Sequence, residues 1–84
     1  MVNRMYYSYI LKSLKDGRYY YGSTENIEKR LAKHNSGQVK STKGRVPFVL
    51  HFFEEHLNRS LAYKRELFYK SVDGYIYLKE RQII

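Results

Sequence analysis

The sequence predicts an α+β domain, a mixed α/β arrangement in which a three-stranded central sheet is flanked by helices in the order β-β-α-β-α plus a C-terminal element. Three observations lead there. Two tyrosine-rich runs, Tyr6–Lys12 and Arg18–Ser23, flank the dipeptide Asp16-Gly17. Segments with helical spacing follow Asn26 and Asn58. Between those segments lies an apolar run, Phe48–Glu54.

The first run is short and rich in aromatic and β-branched residues, which suits a strand. Asp16-Gly17 supplies turn chemistry because glycine accepts positive φ without a steric penalty. A two-residue loop would set Lys15 opposite Arg18 and Leu11 opposite Gly22, with Tyr9 and Tyr20 on one face. A three-residue loop would reverse that, so the shared face depends on register. Asn26 is an expected N-cap. Ile27 and Leu31 form the apolar stripe of the first helix, with Arg30 and His34 one turn apart beside it. Glu28 suits the positive end of the helix dipole, and Asn35-Ser36-Gly37 carries C-cap chemistry.

Residues Ser36 to Pro47 read as a polar, basic surface loop, long enough to carry function. Phe48–Glu54 reads as a buried central strand. Asn58 or Ser60 can cap a second helix running from about Arg59 to Val72, which Asp73-Gly74 is expected to break. Tyr75–Ile84 is a closing element whose type the sequence leaves open.

The chain has 84 residues, of which 43% are hydrophobic and ten are tyrosine, so a folded domain is expected rather than a disordered segment. We expect one domain over residues 1–84. The absence of cysteine excludes disulfides and thiolate metal sites and fits a reducing cytoplasm. No long apolar run or secretory pattern is present, so a soluble cytoplasmic protein with no membrane association is expected. The net charge is +8, and Lys29, Arg30, Lys33, Lys40, Lys43 and Arg45 fall in a stretch without a single acidic residue. A concentrated basic surface attracts a polyanion, most simply nucleic acid.

The ordered motifs Tyr-x-Tyr-Ile-Leu, Asp-Gly, Tyr-x-Gly-x-Thr, Asn-x-x-x-Arg-Leu-x-x-His-Asn-x-Gly, Thr-Lys-x-x-x-Pro and Ala-x-x-x-Glu carry a recognisable pattern. From about Tyr6 to Lys70 the chain resembles the GIY-YIG superfamily. Within it, the chain is similar to small stand-alone bacterial proteins related to the nuclease domain of the excision-repair endonuclease. Tyr7 stands at the first glycine of the name-giving motif and Tyr21 at the middle of the second. No asparagine follows Asn58 to match the family's late one.

The resemblance implies a metal-dependent endonuclease that hydrolyses phosphodiester bonds, with DNA the expected substrate and DNA repair the expected setting. It places Tyr9, Tyr20, Arg30 and Glu66 around the scissile phosphate, and His34 matches a histidine of some members. Glu66 is the candidate ligand for Mg²⁺ or Mn²⁺, since magnesium retains waters and needs few carboxylates. It shares a helical stripe with Ala62 and Tyr69. Tyr9 and Tyr20 would orient or deprotonate the attacking water, which a phenol with a pKa near ~10 does only with a cation close by. Arg30 offers a planar fork for the phosphate. His34 would act as an acid, a phosphate contact or a helix-end residue. Thr24 would touch substrate or cap the helix, while Lys33, Lys40, Lys43 and Arg45 would meet phosphates. His51 and His56 are expected to be structural. Two other readings remain: a module that binds nucleic acid without cutting it, and a protein-interaction module using the basic aromatic surface.

Overall fold

The computed structural model describes residues 4–84, and the first three positions of the expected domain lie outside the described residues. The elements are β1 (Tyr6–Ser13), β2 (Tyr19–Thr24), α1 (Ile27–Asn35), a 3₁₀ turn (Lys43–Arg45), β3 (Phe48–His56), α2 (Arg59–Tyr69) and α3 (Val72–Glu80). The strands form one antiparallel sheet in the order β2-β1-β3. The α+β class and the expected order hold, and the C-terminal element is a third helix.

The β1–β2 loop is longer than the two residues expected. Ser13 N donates to Arg18 O at 2.9 Å, leaving residues 14 to 17 in the turn. Side chains explain the wider loop. Ser13 Oγ accepts from the Lys15 and Asp16 amides at 3.1 Å each, and Asp16 Oδ1 accepts from Arg18 N at 2.9 Å. Gly17 takes φ +71° at the end of the turn. The pairs are therefore Tyr9 with Gly22 and Leu11 with Tyr20, two residues from the expected register. An even shift preserves side-chain direction, so Tyr9 and Tyr20 share a face after all.

β3 is an edge strand, not the central one expected. β1 is central, and its Ser8, Tyr9, Ile10 and Leu11 are all buried. β3 leaves Val49, Leu50 and Phe53 exposed. Both runs are equally apolar in sequence, and only the pairing order distinguishes them. A bulge at His51 lets Ile10 face Phe52 while Leu11 faces Leu50.

The two faces of β1 organise two cores. On one, Tyr9, Leu11 and Phe48 pack with Tyr20, Ile27, Leu31 and Val46 beneath α1. On the other, Ile10, Tyr69 and Leu78 pack with Tyr21, Phe52 and Phe68 beneath α2 and α3. The second face also holds a polar network. Ser8 Oγ lies 2.8 Å from both His56 Nε2 and the Tyr69 hydroxyl, Tyr69 donates to Glu54, and Arg65 pairs with Glu54 at 2.9 Å. His56 is thus structural, as expected. His51 is too, through a hydrogen bond to Ile83 O.

Asn26 caps α1 as expected, its Oδ1 accepting from Lys29 N at 3.0 Å, and Gly37 adopts φ +80° beyond the helix end. Asn58 caps α2, accepting from Leu61 N at 2.9 Å. The second helix stops at Tyr69, three residues before the expected end. Asp73-Gly74 does not break it, because both residues lie in the first turn of α3. The break comes at Ser71, whose Oγ donates to Phe68 O at 2.6 Å and accepts from Gly74 N at 3.0 Å. Gly74 is there for proximity: a Cβ would stand 1.7 Å from Phe68 O. The segment from Ser36 to Pro47 is not merely surface. Thr42 is buried, Val46 joins the first core, and Arg45 O accepts from Ser13 Oγ at 2.6 Å.

Candidate active site

Tyr9, Tyr20, Arg30 and His34 converge on the α1 side of β2. Register brings the tyrosines together, and helical spacing brings Arg30 and His34 to the same stripe. Tyr9 can reach toward the edge of the sheet only because its cross-strand partner is glycine. A Cβ on Gly22 would lie 2.4 Å from both Tyr9 Cζ and the Tyr9 hydroxyl oxygen. Glycine is required here for side-chain room, not for backbone freedom.

The His34 ring is fully buried, and the Tyr20 ring meets it edge-on with centroids 4.8 Å apart. Its two nitrogens have separate partners. Nδ1 lies 2.8 Å from Thr42 Oγ1, and Nε2 lies 3.3 Å from the Tyr9 hydroxyl. Thr42 Oγ1 is placed to donate to Val39 O at 3.4 Å. That orientation assigns the ring hydrogen to Nδ1 and leaves Nε2 as the acceptor of the Tyr9 proton. Burial, then the positive charge of Arg30 and of Lys33, push the His34 pKa down to about 4. The ring is neutral at pH 7 and is a hydrogen-bond acceptor there, not a cation.

Arg30 runs beside both phenols. The Tyr9 hydroxyl is the main influence holding its pKa above the ordinary arginine value, against burial, with Tyr20 adding to it. Arg30 Nε is buried and has no hydrogen-bond partner among the described residues. No ion pair to Glu25 or Glu28 forms, because Glu25 pairs with Arg4 and Arg59 instead. Arg30 thus brings a permanent positive charge, with one buried N–H unmatched, beside the two phenols. Burial raises the Tyr9 pKa, while the neighbouring Arg30 works to lower it and the charges of Tyr20 and Glu66 add to the rise. The Tyr9 phenol is therefore protonated at neutral pH.

Glu66 does not join these four through any hydrogen bond among the described residues. It stands on the α2 side of β2, where Ser23 Oγ donates to its Oε1 at 2.7 Å and Lys70 Nζ lies 2.7 Å from its Oε2. Ala62 and Tyr69 on the same stripe are buried, as the helical spacing predicts. Glu66 is thus anchored from the Ser23 side of β2, and its charge still acts on Tyr9. No group of three His, Asp or Glu side chains gathers among the described residues. A lone carboxylate is poor for zinc but compatible with magnesium, whose other positions go to waters and phosphate oxygens.

The expected nucleic-acid contacts divide. Lys33, Lys40 and Lys43 are exposed and make no ion pair among the described residues. Arg45 is committed elsewhere: it pairs with Asp16 at 2.8 Å, lies over the Phe48 ring and holds the Asp16 carboxyl down to about 2. Thr24 Oγ1 accepts from Asn26 N at 3.2 Å, so it belongs to the turn that opens α1. Sequence reasoning missed several supporting residues. Thr42 orients His34, Ser23 and Lys70 hold Glu66, and Asn35 pairs with the backbone of Phe48 in both directions, at 2.7 and 2.9 Å. Thr42 and Asn35 lie within the motifs and Lys70 follows Glu66 by one helical turn, but which atoms they hold is set by packing, and Ser23 reaches Glu66 from 43 residues away.

Among known proteins, the chain is 38% identical to a UPF0213 protein of Bacillus licheniformis over 98% of this chain and 90% of the relative. A UPF0213 protein of Bacillus cereus is 42% identical over 69% of this chain, and that match spans 62% of the relative's length. The solution NMR structure of a UPF0213 protein from Bacillus halodurans superposes with a TM-score of 0.52 at 34% identity, covering 90% of this chain and 83% of that one. No helix among the described residues is long and apolar enough to cross a membrane. The sequence profile of the GIY-YIG catalytic domain matches residues 5–78, nearly the whole chain, and the chain belongs to the GIY-YIG family.

Proposed function

We propose that this domain is a divalent-metal-dependent endonuclease that hydrolyses phosphodiester bonds in DNA. The observation that carries the reading is the convergence of the Tyr9–His34 pair on Arg30, whose buried Nε has no partner among the described residues. Arg30 meets a non-bridging phosphate oxygen with its guanidinium, its charge not being committed to any carboxylate among the described residues. Its charge is then shared with the phosphate, which removes one of the influences that hold the His34 pKa low. His34 becomes a better base at the moment substrate is bound.

The hydrogen bonds support a proton path within the chain. Water attacks phosphorus and its proton passes to the Tyr9 oxygen, while the Tyr9 proton passes to His34 Nε2. Thr42 Oγ1 accepts from Nδ1–H and steadies the imidazolium that results. The phosphorus bond to the leaving oxygen breaks as the new one forms. Tyr20 closes the other side of the His34 ring and supplies a second hydroxyl beside the phosphate. Glu66 would hold Mg²⁺ or Mn²⁺ after exchanging its contact with Lys70, whose side chain is 48% exposed. Such an ion supplies positive charge to the phosphate and to the departing oxygen.

A non-cleaving nucleic-acid-binding module is the second reading, favoured by the Glu66 carboxylate being held by Ser23 and Lys70 rather than by any of the other four residues. Incubating supercoiled plasmid with Mg²⁺ or Mn²⁺ separates the two. The nuclease reading expects nicking that requires metal and that Tyr9→Phe and Arg30→Ala abolish. DNA retention without nicking in either metal supports the second.

A further inference from the structure

Alternation along β2 sends Tyr20 and Gly22 toward α1 and Tyr19 and Tyr21 toward α3. On that second side lies a hollow of about 390 Å³, lined by Arg18, Tyr19, Tyr21, Tyr75, Lys79 and Ile84 together with Gly17. Its volume falls within the range of small-ligand sites, roughly 300–1,000 Å³. Three of its residues are tyrosines, two are cations, and no lining side chain is acidic. Tyr75 and Lys79 are one turn apart on α3, with Lys79 Nζ 5.8 Å from the centre of the Tyr75 ring, and Tyr75 is 54% exposed. Neither Arg18 nor Lys79 has an ion-pair partner among the described residues, so both are available to a ligand. The proton path described above uses none of these side chains.

We propose that this hollow is a second nucleic-acid site, which takes one unpaired nucleotide by stacking its base on the Tyr75 ring and meeting its phosphate with Arg18 and Lys79. Aromatic faces beside unpaired cations suit a single strand, because every base offers a π face and every linkage a charge. Duplex DNA keeps its bases stacked inside and has no free face for this hollow. The topology explains how one strand would serve both sites. β2 is an edge strand, so its outer side is open, and Tyr20 and Tyr21 are consecutive residues facing opposite ways. A strand with its phosphate at Arg30 that turns around that edge would bring another of its nucleotides to Tyr75. The inference rests on nucleic acid being the ligand, but not on the domain cutting it.

The test is equilibrium binding without divalent metal, read by fluorescence anisotropy on labelled 12-mers of thymidine deoxynucleotides, of uridine ribonucleotides and of abasic deoxyribose phosphates. Tyr75→Ala is expected to weaken binding of the base-bearing strands roughly five- to hundred-fold. Tyr75→Phe should keep most of the affinity, and the abasic strand should bind wild type and Tyr75→Ala alike. A larger loss with the thymidine strand than with the uridine strand names DNA as the occupant, and the reverse names RNA. Unchanged binding of both base-bearing strands by Tyr75→Ala overturns the site. Equal losses for abasic and base-bearing strands also overturn it, since stacking would then contribute nothing. If Tyr75→Ala loses strand binding while wild type nicks nothing in metal, this site stands and the nuclease reading falls. If wild type nicks plasmid but Tyr75→Ala binds as it does, the reverse holds.

Discussion

Individual atoms decide most of what this site does, and Gly22 is the sharpest case. Its missing Cβ leaves the space that the end of the Tyr9 ring occupies. Gly22→Ala must displace Tyr9 from His34, so nicking should fall by roughly 10²-fold or more, the scale of a lost acid–base group. Circular dichroism should still report a folded protein. Tyr9→Phe keeps the ring and removes the proton carrier, and steady-state nicking assays should show a similar loss.

His34 gives a second prediction at this scale, through pH. Its folded pKa is about 4 against an ordinary 6.5, so the fold favours the neutral ring. The stability this represents is fully present above pH 6.5 and is lost as pH falls from there toward 4. The difference is on the order of 3 kcal/mol. Thermal melts of wild type should therefore show Tm falling across that window. His34→Gln should lack that part of the decline while keeping the loss at lower pH, where carboxylates titrate.

Elements are held in place by a few cross-links that act between distant stretches of chain. Asn35, the last residue of α1, makes both hydrogen bonds that a neighbouring strand would make to Phe48. Removing them in Asn35→Ala should cost roughly 1–3 kcal/mol in urea unfolding. Gly74→Ala should be costlier still. Alanine normally favours a helix by about 1 kcal/mol over glycine, but here its methyl would press into the Phe68 carbonyl. A drop in Tm, rather than the gain that propensity predicts, checks this reading.

The same cross-links mark the limit of what is legible in sequence. Local chemistry is plain: Asn26 and Asn58 cap helices, Gly17 and Gly37 take positive φ, and Ile27 and Leu31 face the core. Tyr9 and Tyr20 share a face despite the longer loop, because the register moves by two rather than one. Pairing order is not legible, so β3 reads as central although β1 and β3 are equally apolar. Gly74 reads as a breaker because sequence shows its propensity and not its neighbour. Arg45 reads as a phosphate contact because the loop is basic, and its ion pair with Asp16 across the turn is not legible. The meeting of Tyr9, Arg30 and His34 is available from motif order. The anchoring of Glu66 by Ser23 is not.

Across the whole molecule, a charge of +8 and a sheet with an open β2 edge suit a polyanionic strand. DNA affinity should fall steeply with salt, by a slope of about 0.9 in log K per log salt for each phosphate contacted. Lys43→Ala should reduce that slope by about one contact. Arg45→Ala should leave the slope unchanged and lower Tm instead, because its charge is already spent on Asp16. Titration of labelled DNA at several salt concentrations distinguishes the two variants.

The central proposal is that Glu66 and the tyrosine–arginine cluster act on one phosphate. Metal-dependent nicking of supercoiled plasmid by wild type and Glu66→Gln tests it most directly. Wild type should nick with Mg²⁺ or Mn²⁺ and not with chelator. A folded Glu66→Gln protein should lose at least roughly 10²-fold in nicking. Undiminished nicking by Glu66→Gln, or nicking by wild type that ignores the chelator, would contradict it.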